Sequence, residues 1–257
     1  MPARYAWGPW RLLGVVLVLC GLLASGGRGL AAGCDPATFP VLVDAGHGPR
    51  RSGAESARGV PEYAFNTRLA QRVVAALRAA GFVRAALLDP EGEDLSPTAR
   101  AARANTRGGR LLVSIHHDAV QPRYLSTWTV DGKTRRYSDR FAGYSLFYSG
   151  ESAQAKASLA LARLIGRELR GAGLSFTRHH AEPIAGENRE LVDATVGVYR
   201  YDGLAVLREA AMPAVLVEAG IILNRDEELA LASPARIETT AGAIARGVTA
   251  FCGQIRP

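Results

Sequence analysis

Two features of the 257-residue sequence predict an α/β fold, a mostly parallel twisted sheet flanked by helices. Strand-like apolar runs alternate with amphipathic helical patterns along the chain, the order that builds a parallel sheet. One run, Leu111-Leu112-Val113-Ser114-Ile115, is nearly continuous in apolar character, as a strand buried on both faces should be. No repeat or interdomain linker interrupts the pattern, so residues 33–257 are expected to form one domain, long enough for one sizeable core.

The elements follow in order. Residues 1–32 read as an export signal: Arg4 and Arg11 precede an apolar run from Leu12 to Ala24, and small residues lead to Ala31-Ala32-Gly33. Cleavage is expected near Ala24 or Ala32, with an uncleaved anchor as the alternative. Pro40 to Val43 is the first strand, ending in Asp44-Ala45-Gly46-His47-Gly48. The glycines permit a tight turn there. Glu62 opens a helix in which Phe65, Leu69, Val73 and Leu77 recur every fourth residue, and Gly81 ends it. Val83 to Leu88 reads as a strand, and Ser96-Pro97 starts a helix that runs to about Thr106. After the strand ending at His116 comes a hairpin at about 124–137, turning at Asp131-Gly132. Gly143 to Ser149 reads as a strand, Ser152 to Arg170 as a capped helix, and residues 173–202 as a long polar connection. Leu204 to Leu207 is expected as a short strand and Ala214 to Glu218 as the last one. Helices at Asp226–Leu231 and Pro234–Phe251 close the chain.

Composition narrows the function classes. Apolar residues make up 48% and charged residues 21%, which is globular rather than disordered. The net charge is +7, of which the leader's arginines carry three. That modest excess suits an anionic polymer surface. No basic run interleaved with aromatics points to nucleic acid. Cys20 lies in the leader, whereas Cys34 and Cys252 stand at the two ends of the mature chain. Domain termini often lie close together and an exported chain meets an oxidising compartment, so a Cys34–Cys252 disulfide is expected. No signal of oligomeric state is legible.

Four polar residues stand at the end of an apolar strand or the start of a helix: His47, Glu62, His116 and Glu218. Parallel strands place their carboxyl ends on one edge, where ligands bind. Two imidazoles and a carboxylate are a ligand set for catalytic zinc, and a second carboxylate can act as general base. Each has a plainer reading. Glu62 is favourable at any helix N-terminus. Glu218 follows Val215-Leu216-Val217, where a carboxylate needs an ion-pair partner or a metal. His116 and His117 point to opposite faces of a strand, so only one of them can serve a given site. Asp44 fits either a hydrogen bond to a ligand imidazole or a turn cap.

The motifs resemble those of the zinc-dependent N-acetylmuramoyl-L-alanine amidases of the amidase-3 family. Asp44-Ala45-Gly46-His47-Gly48 resembles the first zinc motif, and Glu62 with Asn66 the second. Arg100 with Ala104-Asn105 resembles the helix before the third ligand. Ser114-Ile115-His116-His117-Asp118-Ala119 resembles the third motif, and its pattern assigns ligation to His116 rather than His117. The run from Val206-Leu207-Arg208 through Glu218 to Asn224 and Glu227 resembles the closing motif. The resemblance covers about residues 40–251. It implies Zn²⁺ held by His47, Glu62 and His116, with Glu218 as the catalytic base. It also implies peptidoglycan as substrate, cut between N-acetylmuramic acid and L-alanine, and residence in the periplasm is the matching expectation for an exported chain. Two other readings compete: a zinc peptidase acting on the peptide stem, and a non-catalytic cell-wall-binding module of the same fold.

Two segments depart from the family pattern. The hairpin carries Tyr124, Trp128 and Tyr137 with Lys133, Arg135 and Arg136, suited either to sugar rings and anionic stems or to covering the core. In some family members an insertion near 173–202 blocks the site until a protein activator displaces it. Here Glu182 or Glu187 would be the blocking carboxylate, and a surface loop is the alternative. His179-His180 also suggests a second metal site, but the pair has no i+4 partner, and the plainer reading of a surface loop is favoured.

Overall fold

The computed structural model describes residues 1–4, 6 and 33–255; the expected leader at 1–32 lies almost wholly outside them. Residues 33–255 belong to one compact unit. The described residues form nine strands: β1 (Val41–Ala45), β2 (Ala86–Leu87), β3 (Leu111–Asp118), β4 (Ser126–Val130), β5 (Lys133–Tyr137), β6 (Ser145–Tyr148), β7 (Glu190–Asp193), β8 (Val198–Arg200) and β9 (Ala214–Ile221). The helices are α1 (Glu62–Ala79), α2 (Pro97–Thr106), α3 (Ala155–Gly171), α4 (Ala205–Arg208), α5 (Arg225–Ala232) and α6 (Pro234–Cys252).

Seven strands form one sheet in the order β2-β1-β3-β9-β6-β8-β7, and β4 and β5 form a separate hairpin. The β2-β1-β3-β9 half is parallel. β6 runs antiparallel to β9 and parallel to β8, and β7 is antiparallel to β8. The mostly parallel α/β architecture expected from the sequence is therefore the one observed.

Alternation along the strands sorts side chains onto two faces. Val41, Val43, Leu111, Val113, Ile115, Val215 and Val217 pack with Phe65, Leu69, Val73 and Leu77 of α1, and with α3 and α6. Leu42, Leu112 and Leu216 point the other way, into a smaller core with Ala104 of α2 and Val206 and Leu207 of α4. Burial of whole Leu and Val side chains, worth about 1.5–3 kcal/mol each, fixes the register, because a slip of one residue would exchange the two faces. On the second face the apolar rows end in polar residues. Leu42 leads to Asp44, Leu112 to Ser114 and His116, and Leu216 to Glu218. The carboxyl edge of the central strands is thereby the polar edge.

Several local expectations are corrected. Val83–Leu88 contributes only the two-residue β2, because Phe82 and Ala85 turn the chain before it. Leu204–Leu207 is not a strand: Ala205–Arg208 forms the helical turn α4, with Arg208 N–H donating to the Leu204 carbonyl. The connection 173–202 holds a 3₁₀ turn at His179–Ala181 and the strands β7 and β8, so it widens the sheet rather than only spanning it. Ser152 lies ahead of α3; its Oγ accepts from Gln154 N–H, and Gln154 is the N-cap. Cys34 and Cys252 are joined by a disulfide, with Cα atoms 5.0 Å apart.

Candidate active site

β1 ends in a turn whose left-handed residue is His47 itself, at φ 69°, and not either flanking glycine. Such a conformation costs a non-glycine residue about 1–3 kcal/mol and persists only where the surroundings enforce it. Arg100 of α2 supplies the enforcement. Its buried guanidinium bonds the Asp44 carboxylate, the Ala45 carbonyl at 2.8 Å and the His47 carbonyl. Ser114 Oγ donates to the second Asp44 oxygen at 2.7 Å. Asp44 thus neither contacts a ligand imidazole nor caps the turn, as the sequence suggested. It anchors the arginine that clamps the turn.

Gly46 is required for a different reason. A Cβ there would lie 2.1 Å from His116 Nε2, so the turn can pass the imidazole only without a side chain. Gly53, at φ 78°, approaches from the other side. Its Cβ would lie 2.4 Å from Glu62 Oε2 and 2.9 Å from His47 Nε2.

The loop and the strand ends bring His47, Glu62 and His116 together, with one ligand atom of each within 4.8 Å of the others. His47 Nε2 is 3.0 Å from Glu62 Oε2, and His116 Nδ1 is 3.1 Å from Glu62 Oε1. Burial pushes the Glu62 carboxyl up, but its hydrogen bonds to His116 and His47 more than offset this and hold it well below the usual range. The site residues fit zinc. Ligand atoms about 2.0–2.1 Å from one tetrahedral ion stand about 3.3 Å apart, close to the separations here.

Asn66, one helical turn after Glu62, supports the set. Its Nδ2 donates to Glu62 Oε1 at 3.1 Å and to the Gly46 carbonyl at 3.0 Å. With both amide hydrogens committed, Asn66 Oδ1 is the acceptor for His117 Nδ1 at 2.8 Å, which fixes the proton of His117 on Nδ1. Burial lowers His117 to about 3, so it is neutral. His117 faces away from the cluster and steadies it through Asn66, while its backbone N–H donates to Glu62 Oε1 at 3.3 Å.

Glu218 lies beside His116 in the parallel β3–β9 register. Its Oε2 is buried without a hydrogen-bond partner. Burial first, then the charges of Asp118 and Glu62, raise its carboxyl well above the usual range. A cavity of about 260 Å³ opens beside His47 and His116, lined also by Leu204, Val206, Leu216, Arg51 and Arg100.

Comparison with known proteins gives the family. Residues 41–250 match the family model described as "Amidase_3: N-acetylmuramoyl-L-alanine amidase". The chain belongs to this amidase family. Among its relatives is the N-acetylmuramoyl-L-alanine amidase Rv3717 of Mycobacterium tuberculosis, 27% identical over 228 residues, covering 85% of this chain and 82% of that one. Among solved structures, the amidase Ami1 of Mycobacterium smegmatis superposes with a TM-score of 0.65 at 25% identity, over 86% of this chain and all of that one. The catalytic domain of CwlV from Bacillus (Paenibacillus) polymyxa gives 0.63 at 26% identity, over 83% and 97%.

The segments that depart from the family pattern are used structurally. In this amidase, Trp128 Nε1 donates to the Ala57 carbonyl at 2.9 Å, and the guanidiniums of Arg58 and Arg225 each lie 5.2 Å from the centroid of its ring. Arg135 pairs with Glu55 at 2.8 Å. Trp128 is therefore spent on docking the hairpin to the 55–60 loop, while Tyr137 packs on Arg225 and Tyr124 on Arg140 and Phe141. Glu182 pairs with Arg140, and Glu187 with His180 and Gln121, so neither carboxylate is turned to His47, Glu62 or His116.

Proposed function

We propose that this amidase is an exported, zinc-dependent enzyme that cleaves the amide between the lactyl group of N-acetylmuramic acid and L-alanine in peptidoglycan. The reading is carried by one observation: two imidazoles and a carboxylate converge on one point at the carboxyl edge of the sheet, with an unpartnered carboxylate in register beside them. His47, Glu62 and His116 would hold Zn²⁺, which when bound polarises the scissile carbonyl and acidifies a water.

The chain's own residues do the rest. Glu218, beside a cation's positive charge, returns from its raised pKa toward the ionised form and takes a proton from the attacking water. The same carboxyl then delivers that proton to the departing amine of L-alanine. Asn66 and His117 hold Glu62 in place during this exchange, and Arg100 keeps the His47 turn closed. Because Glu182 and Glu187 are engaged elsewhere, we infer an open site that works without an activator protein. Periplasmic residence is supported by the leader-like N-terminus and by a disulfide, a bond that persists in oxidising compartments.

Digestion of purified sacculi tests the proposal. The expected products are free muramic lactyl carboxyl groups and new L-alanine amino termini. New amino termini at other stem residues would overturn it in favour of a stem peptidase. Digestion by Glu218→Ala at the wild-type rate, with zinc still bound, would remove Glu218 from the mechanism.

A further inference from the structure

The five histidines of the chain fall into two groups. His47, His116 and His117 belong to the site above. His179 and His180 sit on the 3₁₀ turn of the 173–202 segment, both buried, and face Asp118 at the end of β3. We propose that Asp118, His179 and His180 form a second divalent-metal site of the zinc type, separate from His47, Glu62 and His116. It stands on geometry independent of the amidase reading.

The first argument is direction. His179 Nε2 and His180 Nε2 lie 3.2 and 2.9 Å from Asp118 Oδ2, close enough for hydrogen bonds. Yet all three atoms are buried, and none makes a hydrogen bond of good geometry. Three adjacent donor atoms left unsatisfied call for an occupant.

The second argument is size. Atoms hydrogen-bonded at about 2.8 Å to one tetrahedral water stand about 4.6 Å apart. Ligands about 2.0–2.1 Å from a tetrahedral zinc stand about 3.3 Å apart. The observed 2.9 and 3.2 Å are close to the metal spacing and far from the water spacing, and they match the 3.0 and 3.1 Å of the first cluster.

The third argument is the support behind each imidazole. Metal-bound histidines bond their second ring nitrogen to a carboxylate, carbonyl or similar group, which leaves the other nitrogen's lone pair for the metal. His180 Nδ1 is 2.9 Å from Glu187 Oε2, and Glu187 is itself held by Gln121 Nε2 at 2.8 Å. His179 Nδ1 is 2.9 Å from Thr177 Oγ1. Both rings thereby present Nε2 to Asp118. Three protein ligands leave a position for water. The metal would pin the segment carrying β7 and β8 to the strand that carries His116. The competing occupant is a proton on His180, which Asp118 and Glu187 favour against the opposing pull of burial.

Metal stoichiometry decides between them. The purified protein is stripped with a chelator, titrated with Zn²⁺ by calorimetry and assayed for metal by mass spectrometry. Two equivalents are expected for the wild type and one for the His179→Asn/His180→Asn variant. His47→Asn/Glu62→Gln should also bind one, held by the second site. Glu187→Gln should weaken only the second site, by about 10- to 100-fold. One equivalent in the wild type, or two in the His179→Asn/His180→Asn variant, overturns the proposal. Should the variants fail to fold, anomalous diffraction at the zinc edge from wild-type crystals decides. A peak about 2.0–2.2 Å from Asp118 Oδ2, His179 Nε2 and His180 Nε2 supports the site, and a water or no peak there overturns it.

Discussion

Asn66 donates Nδ2–H to Glu62 Oε1 across 3.1 Å of the first turn of α1, and this bond orients the carboxylate that lies between His47 and His116. The same amide holds the Gly46 carbonyl and His117. Groups of this kind tune ligands without touching the metal, and their loss weakens metal binding by about 10- to 100-fold. Asn66→Ala is expected to lower Zn²⁺ affinity at the first site by that factor in chelator competition. Its kcat at saturating zinc should fall far less. Unchanged affinity would show that Glu62 is held by the backbone N–H groups of Ala54 and His117 alone.

Glu218 invites a sharper substitution than deletion. Glu218→Gln keeps the shape and removes the proton-accepting oxygen whose partner-free burial singles it out. General-base loss is expected to lower kcat by about 10²- to 10⁴-fold. Zinc stoichiometry should not change, since Glu218 is not in the His47–Glu62–His116 cluster. A comparable rise in KM with kcat unchanged would place Glu218 in substrate binding.

Legibility followed physical strength. β1, β3 and β9 were readable because burial on both faces demands apolar runs, and a polar residue at the end of such a run stands out: hence His47, His116 and Glu218. β7 was hidden because an edge strand need bury little, and Glu190–Asp193 is half charged. Leu204–Leu207 misled because four apolar residues fit a strand or a helical turn equally. Asp44 was misassigned because its partner, Arg100, lies 56 residues away on another element. Asp118 and His179-His180 stayed apart for the same reason, about sixty residues separating ligands that only the docking of the 3₁₀ turn brings together.

Arg100 should be a stability residue as well as a positioning one. Removing one partner of a buried ion pair typically costs about 3–5 kcal/mol, because the other charge stays buried. Arg100→Ala leaves Asp44, which is fully buried, with Ser114 alone. Denaturant unfolding of the metal-free protein should show a loss of that size. Arg100→Lys should recover only part, since one ammonium cannot reach Asp44 and the Ala45 and His47 carbonyls together.

Gly53 tests the turn from outside the cluster. Gly53→Ala places a methyl group 2.4 Å from Glu62 Oε2 at a φ that alanine resists. The nearest atoms belong to Glu62 and His47, so those side chains must shift. The expected result is a folded protein, by circular dichroism, with zinc affinity and sacculus digestion both reduced at least about tenfold, as for other disturbances around metal ligands. Normal zinc binding would mean that the 50–56 loop yields instead.

The disulfide should separate stability from activity. Cys34 and Cys252 close a span of 218 residues, and removal of a native bridge typically costs about 2–5 kcal/mol. The bridge lies at the end of the sheet away from the site. Phe251 and Ile255 share a cavity with Phe39, Arg110 and Pro213, residues that immediately precede or approach the starts of β1, β3 and β9, whereas His47, His116 and Glu218 stand at the strands' other ends. α6 is also held independently, through Ile244, Val248 and Phe251 in the main core. Cys34→Ser/Cys252→Ser is therefore expected to melt about 5–15 °C lower, at about 2–4 °C per kcal/mol for a domain of this size. Its kcat at 25 °C should equal that of the wild type. A fall in kcat without a fall in melting temperature would mean that the amino edge of the sheet is coupled to the catalytic edge through β1 and β9 themselves.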